Sequence, residues 1–501
     1  MQPDQPAGSP RRRLVHRLPV SLRQHWKILA VFAVFVTVMA TVFGGARIAP
    51  QITGDTTVIA SDITDNISGT VDLFDTSVSH EVSLDITDAE YQDMITTFQK
   101  TGDKKWVTAD LSIDGTFVND VSIRLKGNST LMGVRGKDAG PGGEGGAPGG
   151  MQMPAGENPM AAMQSSADDP TSLPLLISFD ENQDGRAYQG MTQISVRPGT
   201  PVLNEAMALS LTADTGQATQ RYTYTVYSIN DSATTTRLLL EHPDDGYANS
   251  LFESDGYLYK ADAKSRFEYR GDDQSDYSDQ FKQINAGDSG NLQPIINFLK
   301  WMDSADDAEF AAHLADWVDV DSLARYLATQ NLLANGDDMG GPGQNYYLWY
   351  DLDAEKFTVV SWDLNLAMMG GATAGPHDEV SMGLPGKDAA AAGDAQPAGG
   401  QPEAAGSKQP PAPGGGGPQH GNPLKERFLS SDAFTAAYES AYWELFDQIY
   451  GSGRATELLN EIGDRVPVSD GLSADKLRSE VDELRSWIDQ RTSALEGMRP
   501  A

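Results

Sequence analysis

The apolar residues of this chain change their spacing part-way along it, and that change limits the fold more than any other feature. From Val82 to Glu241 they mostly alternate with polar residues, as half-buried strands require; after Asp321 they recur at helical spacing, one hairpin excepted. Val82-Ser-Leu-Asp-Ile reads as a strand and Ala89 to Thr101 as a short helix. Val107 to Ile113 and Val118 to Leu125 flank Asp114-Gly115, a hairpin signal. Leu175 to Phe179 and Met191 to Val196 are strand-like, and Arg221 to Ser228 with Thr235 to Glu241 predict a further hairpin turning at Asn230-Asp231. Thr200-Pro201 predicts a helix start, a capping residue followed by proline at the first helical position. Leu203, Met207 and Leu211 line one face of that helix, and Gly216 suits its stop. The last helix, Ala474 to Glu496, carries Leu477, Val481, Leu484, Trp487, Ile488 and Leu495 as an amphipathic stripe. Strands with one helix, then mostly helices, predict an α+β fold of two lobes.

Two stretches interrupt the pattern. Residues 137–169 and 371–420 are rich in Gly, Pro, Ala and, in the first, Met, with little periodicity, and are expected to be mobile insertions because they cannot bury enough apolar surface. Met151, Met153, Met160 and Met163 could be a soft-metal tract, but without neighbouring His or Cys a plain low-complexity loop is the simpler reading. The net charge of −34 over 501 residues argues against a nucleic-acid partner. The absence of cysteine removes disulfides, thiolate catalysis and Cys-based zinc sites.

The N-terminus predicts a compartment. Ile28 to Phe43 is uncharged, and Gly44 to Ala46 extend it towards spanning length. Arg11, Arg12, Arg13, Arg17, Arg23 and Lys27 precede it, and the chain beyond soon turns acidic. The positive-inside rule then keeps residues 1–27 cytoplasmic, makes 28–49 a single-pass anchor in the cell membrane and exports the rest. A cleaved signal peptide ending near Gly44-Gly45-Ala46 is the alternative, and it too exports the domain. Residues 50–78 read as a spacer and 79–501 as the exported domain.

Candidate chemistry gathers around one hairpin. Asn335-Gly-Asp337-Asp338 leads through a Gly-rich bend to Asn345-Tyr-Tyr-Leu-Trp-Tyr350, a polar loop, and Phe357-Thr-Val-Val-Ser-Trp362-Asp363-Leu-Asn365. With the turn near Asp353 and Ala354, counting outward from Ala354 places Asn345 opposite Asp363, so the two are expected to converge on a divalent cation with Asp337 nearby. Period-two alternation puts Asn365 on the face of Asp363. Such oxygen ligands suit Mg²⁺ or Mn²⁺. A surface hairpin with ordinary Asp and Asn at its ends explains the same residues. Asp180-x-Asn182-x-Asp184-Gly185 matches half of a calcium loop but has Met191 where the bidentate glutamate belongs, and a turn explains it equally. His242 reads as a polar residue at a strand end.

Four ordered motifs carry a resemblance. Val121-Ser-Ile-Arg-Leu-Lys-Gly-Asn-Ser-Thr130 is similar to an R-x-K-G-N-S element, Gly256-Tyr-Leu-Tyr-Lys260 to L-Y-K, Asn345-Tyr-Tyr-Leu to N-Y-Y-L, and Ser361-Trp-Asp-Leu-Asn365 to the W-D-x-D that follows. On these, from about Ser79 to the C-terminus, the chain resembles the CotH (spore coat protein H) kinase family. The resemblance implies a divergent two-lobed protein-kinase-like fold that binds ATP with Mg²⁺ or Mn²⁺. It implies Asp337 as catalytic base, Asn345, Asp363 and Asn365 as metal ligands, and Lys126, Glu205 and Lys260 around the nucleotide, with Glu241 to Pro243 as the hinge near adenine. Its substrate would be a protein hydroxyl.

The chain also departs from that pattern. The strand Leu173 to Asp180 lacks the family's lysines, Asn365 stands for the second Asp of W-D-x-D, and an insertion falls beside the nucleotide position. A catalytically inactive pseudokinase, binding or scaffolding a cell-surface protein, therefore stands beside the enzyme. A glycoside-active pair of carboxylates has acids enough but no particular spacing.

Overall fold

Alternation in the first half closes into a barrel. The computed structural model describes residues 63–135, 165–286, 290–380 and 421–500. It begins with β1 (Asp65–Ile67), β2 (His80–Asp85), α1 (Asp88–Thr101), β3 (Val107–Ile113) and β4 (Thr116–Leu125). After the first insertion follow β5 (Leu175–Ser178), β6 (Arg186–Tyr188), β7 (Gln193–Val196), α2 (Leu203–Asp214), β8 (Tyr222–Ile229) and β9 (Thr235–Glu241). Seven of these strands form a closed barrel in the order β2-β3-β4-β5-β7-β9-β8. Its neighbours are antiparallel except for the closing pair, β2 beside β8, which runs parallel. Inward positions such as Val82, Leu84, Leu111, Ile123, Ile177, Ile194 and Leu239 fill the interior, and α1 adds Met94, Ile95 and Phe98 to the same core.

A second sheet joins the barrel to the helices. α3 (Asp245–Ser250), β10 (Gly256–Ala261) and β11 (Phe281–Gln283) precede α4 (Gln293–Ser304), α5 (Asp307–His313) and α6 (Val320–Leu332). β12 (Tyr346–Asp351) and β13 (Phe357–Ser361) complete the sheet in the order β11-β10-β12-β13. Both its faces are covered. Tyr346, Leu348 and Val359 enter the large helical core, while Tyr347, Trp349, Val360 and Trp362 pack on Leu258 and Tyr247. α7 (Pro423–Ser430), α8 (Asp432–Phe446), α9 (Arg454–Arg465) and α10 (Ala474–Glu496) finish the chain. Met207 and Leu211 of α2 belong to the helical core, which also takes in Tyr224 of β8 and Leu238 and Leu240 of β9, so this helix leans on both halves. The fold is mixed α+β, as the periodicity predicts.

Several expectations change in detail. α2 is capped by Val202 in a left-handed conformation without a side-chain cap bond, and the Thr200-Pro201 bond before it is cis. Thr200 instead donates its hydroxyl to the Thr236 carbonyl at 2.9 Å. The suspected calcium loop is organised by a guanidinium: Arg186 donates to the carbonyls of Phe179, Asn119 and Asp120 at 2.7–2.8 Å. Both expected insertions have ordered ends. Asp169 caps the turn Pro170–Ser172, and buried Arg491 of α10 donates to the Ala372 and Ala374 carbonyls while Trp487 holds the Gly370 carbonyl at 2.9 Å. The remainder of both insertions, the four methionines and the expected anchor with its tail lie outside the described residues. Among the described residues no helix is long and apolar enough to cross a membrane.

Candidate active site

The C-terminal end of α6 and the start of β12 build the first part of the site. Gln330 on α6 accepts from Asn335 at 2.7 Å and donates to Ser361 on β13 at 3.0 Å, tying the Asn335–Asp338 loop to the hairpin. Asp337 then accepts from the Gly343 amide at 2.6 Å and from the Asn345 side-chain amide at 3.0 Å. The glycines between them are a steric requirement. A Cβ on Gly343 would lie 2.7 Å from both the Asp337 carboxylate and the Asn345 amide, and one on Gly341 2.5 Å from the Asp337 Cα. Burial pushes the Asp337 carboxyl up to about 6; Asp363 and Asp338 add to the rise, and the Gly343 and Asn345 donors oppose it. Asp338 points away into an ion pair with Lys425 of α7 at 2.5 Å.

The hairpin forms, with its register one residue from expectation. Its four-residue loop, 352–355, pairs Tyr346 with Ser361 and Tyr350 with Phe357, so continuing the count sets Trp362, not Asp363, opposite Asn345. β13 ends at Ser361, and Asp363 turns left-handed at φ 54°. Aspartate tolerates that region better than most residues, and non-glycine residues held there concentrate at functional sites. The turn breaks the alternation that would align Asn365 with Asp363. Asn365 sits in a short 3₁₀ turn, its carbonyl held by Asn204 of α2 at 2.6 Å.

Asp363 meets the barrel through an arginine that sequence reasoning passed over. Arg197, just after β7, donates to Glu205 of α2 at 2.7 Å and to Asp363 Oδ1. Burial works against the charge on Arg197, but Asp363 and Glu205 outweigh it and hold it protonated. Burial likewise raises the Glu205 carboxyl in spite of Arg197, and its second oxygen is buried without a partner among the described residues. Asp363 answers in the other sense: burial favours its neutral form, but Arg197, Lys126 and Lys260 prevail and lower it. It keeps 28% of its side-chain surface open, enough for a cation to reach. Glu205 thus pairs with Arg197, not with Lys126 or Lys260. The signal was present: a basic residue ending the strand before the glutamate-bearing helix is the kinase order of lysine and glutamate.

Lys126 and Lys260 nevertheless stand at the same place. Their ammonium groups lie 5.2 and 5.0 Å from the centre of the Trp362 ring, one from the residue that follows β4 and one from β10. Lys126 also touches Ser195 at 2.5 Å and His242 at 3.3 Å. Burial, then Arg197 and Lys260, holds Lys126 well below the usual lysine range. His242, expected to be incidental, meets Trp362 edge-on at 6.0 Å and is held neutral by burial and by Lys126, Lys260, Arg124 and Lys282. Nearby Lys104 is drawn down to about 8 by burial and by Arg124, Lys260 and Arg135. A strongly acidic chain has set two lysines against one tryptophan with further cations close by, where each makes the next harder to charge. Anionic ligand oxygens would relieve that crowding.

Asp363 therefore faces this cationic wall, and Asp337, near enough for Asp363 to raise it, stands on its other side with Asn345 bonded to it. Among the described residues no three His, Asp or Glu side chains form a metal cluster of their own. The donor set fits a hard divalent cation that takes one or two carboxylates and completes its shell with phosphate and water oxygens. The family model described as CotH kinase protein matches residues 174–495, well over half the chain. A search of the curated proteins returns no match.

Proposed function

Because the chain belongs to the CotH kinase family, we propose that it is an exported, membrane-anchored protein kinase that transfers the γ-phosphoryl group of ATP to a protein hydroxyl with Mg²⁺ or Mn²⁺. The observation that carries the reading is Asp363, set among Arg197, Lys126 and Lys260 and close enough to the buried Asp337 to raise its carboxyl. Asn345 and Asp363 would hold the cation, which when bound neutralises the phosphates. Lys126 and Lys260 bind phosphate oxygens, and Trp362 supports both ammonium groups. Glu205 fixes the guanidinium of Arg197, and that guanidinium positions Asp363. Asp337 accepts the proton of the acceptor hydroxyl as the hydroxyl oxygen bonds to the γ-phosphorus and the bond from that phosphorus to the oxygen of the departing ADP breaks. Asn345 orients that carboxylate and the Gly343 amide keeps it from swinging away. The two lobes of such a kinase would be the barrel with α2 and the second sheet with its helices.

The scaffold reading draws on one observation: Arg197 already engages an oxygen of Asp363. The full chain in detergent, assayed by calorimetry and labelled-phosphate transfer with either metal, separates the two. Asp363→Ala should abolish metal-dependent nucleotide binding with the fold intact. Wild-type binding without transfer to any acceptor supplied supports the scaffold, and no nucleotide binding with either metal overturns the kinase. The anchor at 28–49 rests on its uncharged run and basic flank; protease digestion of intact cells should remove the acidic domain and spare a tag at the N-terminus.

A further inference from the structure

At the turn end of the β12–β13 hairpin, away from Asn345 and Asp363, lies a cleft of about 530 Å³. Its floor is aromatic. Trp301 of α4 and Trp317 stack with centroids 5.5 Å apart, and Tyr350 of β12 lies beside them. Each ring is braced from within: Trp301 on Phe310, Trp317 on Phe298 at 5.9 Å, and Tyr350 on Phe357 at 4.9 Å. All three remain half-exposed. The rim is acidic, with Glu309 of α5, Asp316 and Glu355, and among the described residues no lysine or arginine lines the cleft. His313 takes up part of Asp316 at 2.9 Å, whereas Glu309 and Glu355 form no ion pair among the described residues. Glu355 is set at the rim by a left-handed backbone, φ 54°, where the hairpin turns.

Aromatic faces attract a cation through their quadrupole, tryptophan most strongly, and a carboxylate rim adds direct charge complementarity. A planar guanidinium can lie on the stacked indoles and bond the rim at its edge. We propose that this cleft docks an arginine or lysine side chain of the protein acceptor. The assignment rests on the protein-acceptor reading above. Asn345 and Tyr350 are five residues apart on one strand, about 17 Å. A docked side chain therefore stands some five extended residues or more from the hydroxyl that is phosphorylated. The cleft would select acceptors by a basic residue at a distance and leave the reacting atoms untouched.

The test uses the full chain in detergent without nucleotide, titrated calorimetrically with a serine-containing peptide bearing one arginine and with its citrulline counterpart. The arginine peptide should bind more tightly. Glu309→Gln with Glu355→Gln, both exposed, should weaken it by about threefold to tenfold, and added salt should do the same. Trp301→Ala should abolish the preference, with circular dichroism reporting whether the fold survives. Equal binding of the two peptides, or an unchanged affinity in the double glutamine variant, overturns the proposal. Arginine amide binding as well as the peptide overturns it in favour of a small-cation site. Nucleotide binding by the same preparation keeps the outcomes apart. Arginine selectivity without nucleotide binding leaves the cleft standing and removes the kinase; the reverse removes the cleft alone.

Discussion

Replacing Arg197 by methionine would leave Glu205 buried with neither oxygen partnered among the described residues and Asp363 without the guanidinium that bonds it. Breaking a buried pair from one side costs about 3–5 kcal/mol when the orphaned charge has no escape. Glu205 has one, because it can take up a proton. The cost of keeping it protonated caps the loss, and at pH 7 that cap is about 3.4 kcal/mol, from an ordinary pKa of 4.5 and 1.36 kcal/mol per pH unit. The wild-type carboxyl is already raised by burial, so the measured difference falls below this cap. The sign follows from proton count. In the variant the folded state holds a proton on Glu205 that the unfolded chain releases above its ordinary pKa, so the loss of stability grows as pH rises and fades towards pH 5. Urea unfolding of the full chain, followed by circular dichroism from pH 5 to 8, measures it. Arg197→Met combined with Glu205→Leu removes both charges and should recover most of the stability at pH 8. A penalty independent of pH, or a double variant as unstable as the sum of the singles, would refute the reasoning.

Asp337, pushed up to about 6 by burial, must be ionised to accept a proton, so transfer should rise with pH and level off. A bound cation draws that limb lower, and a midpoint above 6 at saturating Mg²⁺ would contradict the role. Asp337→Asn should lose turnover and keep nucleotide affinity, as calorimetry beside a transfer assay would show. Gly343→Ala forces its Cβ to 2.7 Å from the Asp337 carboxylate and the Asn345 amide, and should lower kcat by about a hundredfold with little change in melting temperature. An unaltered kcat would mean that this bend does not position the carboxylate.

Local chemistry in the sequence determined the elements: Asp114-Gly115 turns β3 into β4, both residues left-handed, and the stripe from Leu477 to Leu495 becomes α10 over the predicted span. Motif order likewise marked the family and brought Asp337 beside Asn345. These depend on periods of two and 3.6 and on residues near in sequence, which a chain carries before it folds. Tertiary structure decided what those residues meet. Asp363 faces Arg197 across 166 positions, and His242 becomes part of a cation-lined wall because Lys126 and Lys260 arrive from different sheets. The register of the 345–363 hairpin shows the boundary most clearly. Its existence follows from two apolar runs about a polar loop, but a shift of one residue reverses which side chains face together. Only the closed loop at 352–355 and the left-handed turn at Asp363 settle that choice. Pairing in space is fixed by packing and backbone closure, and neither is written in the spacing of residues along one strand.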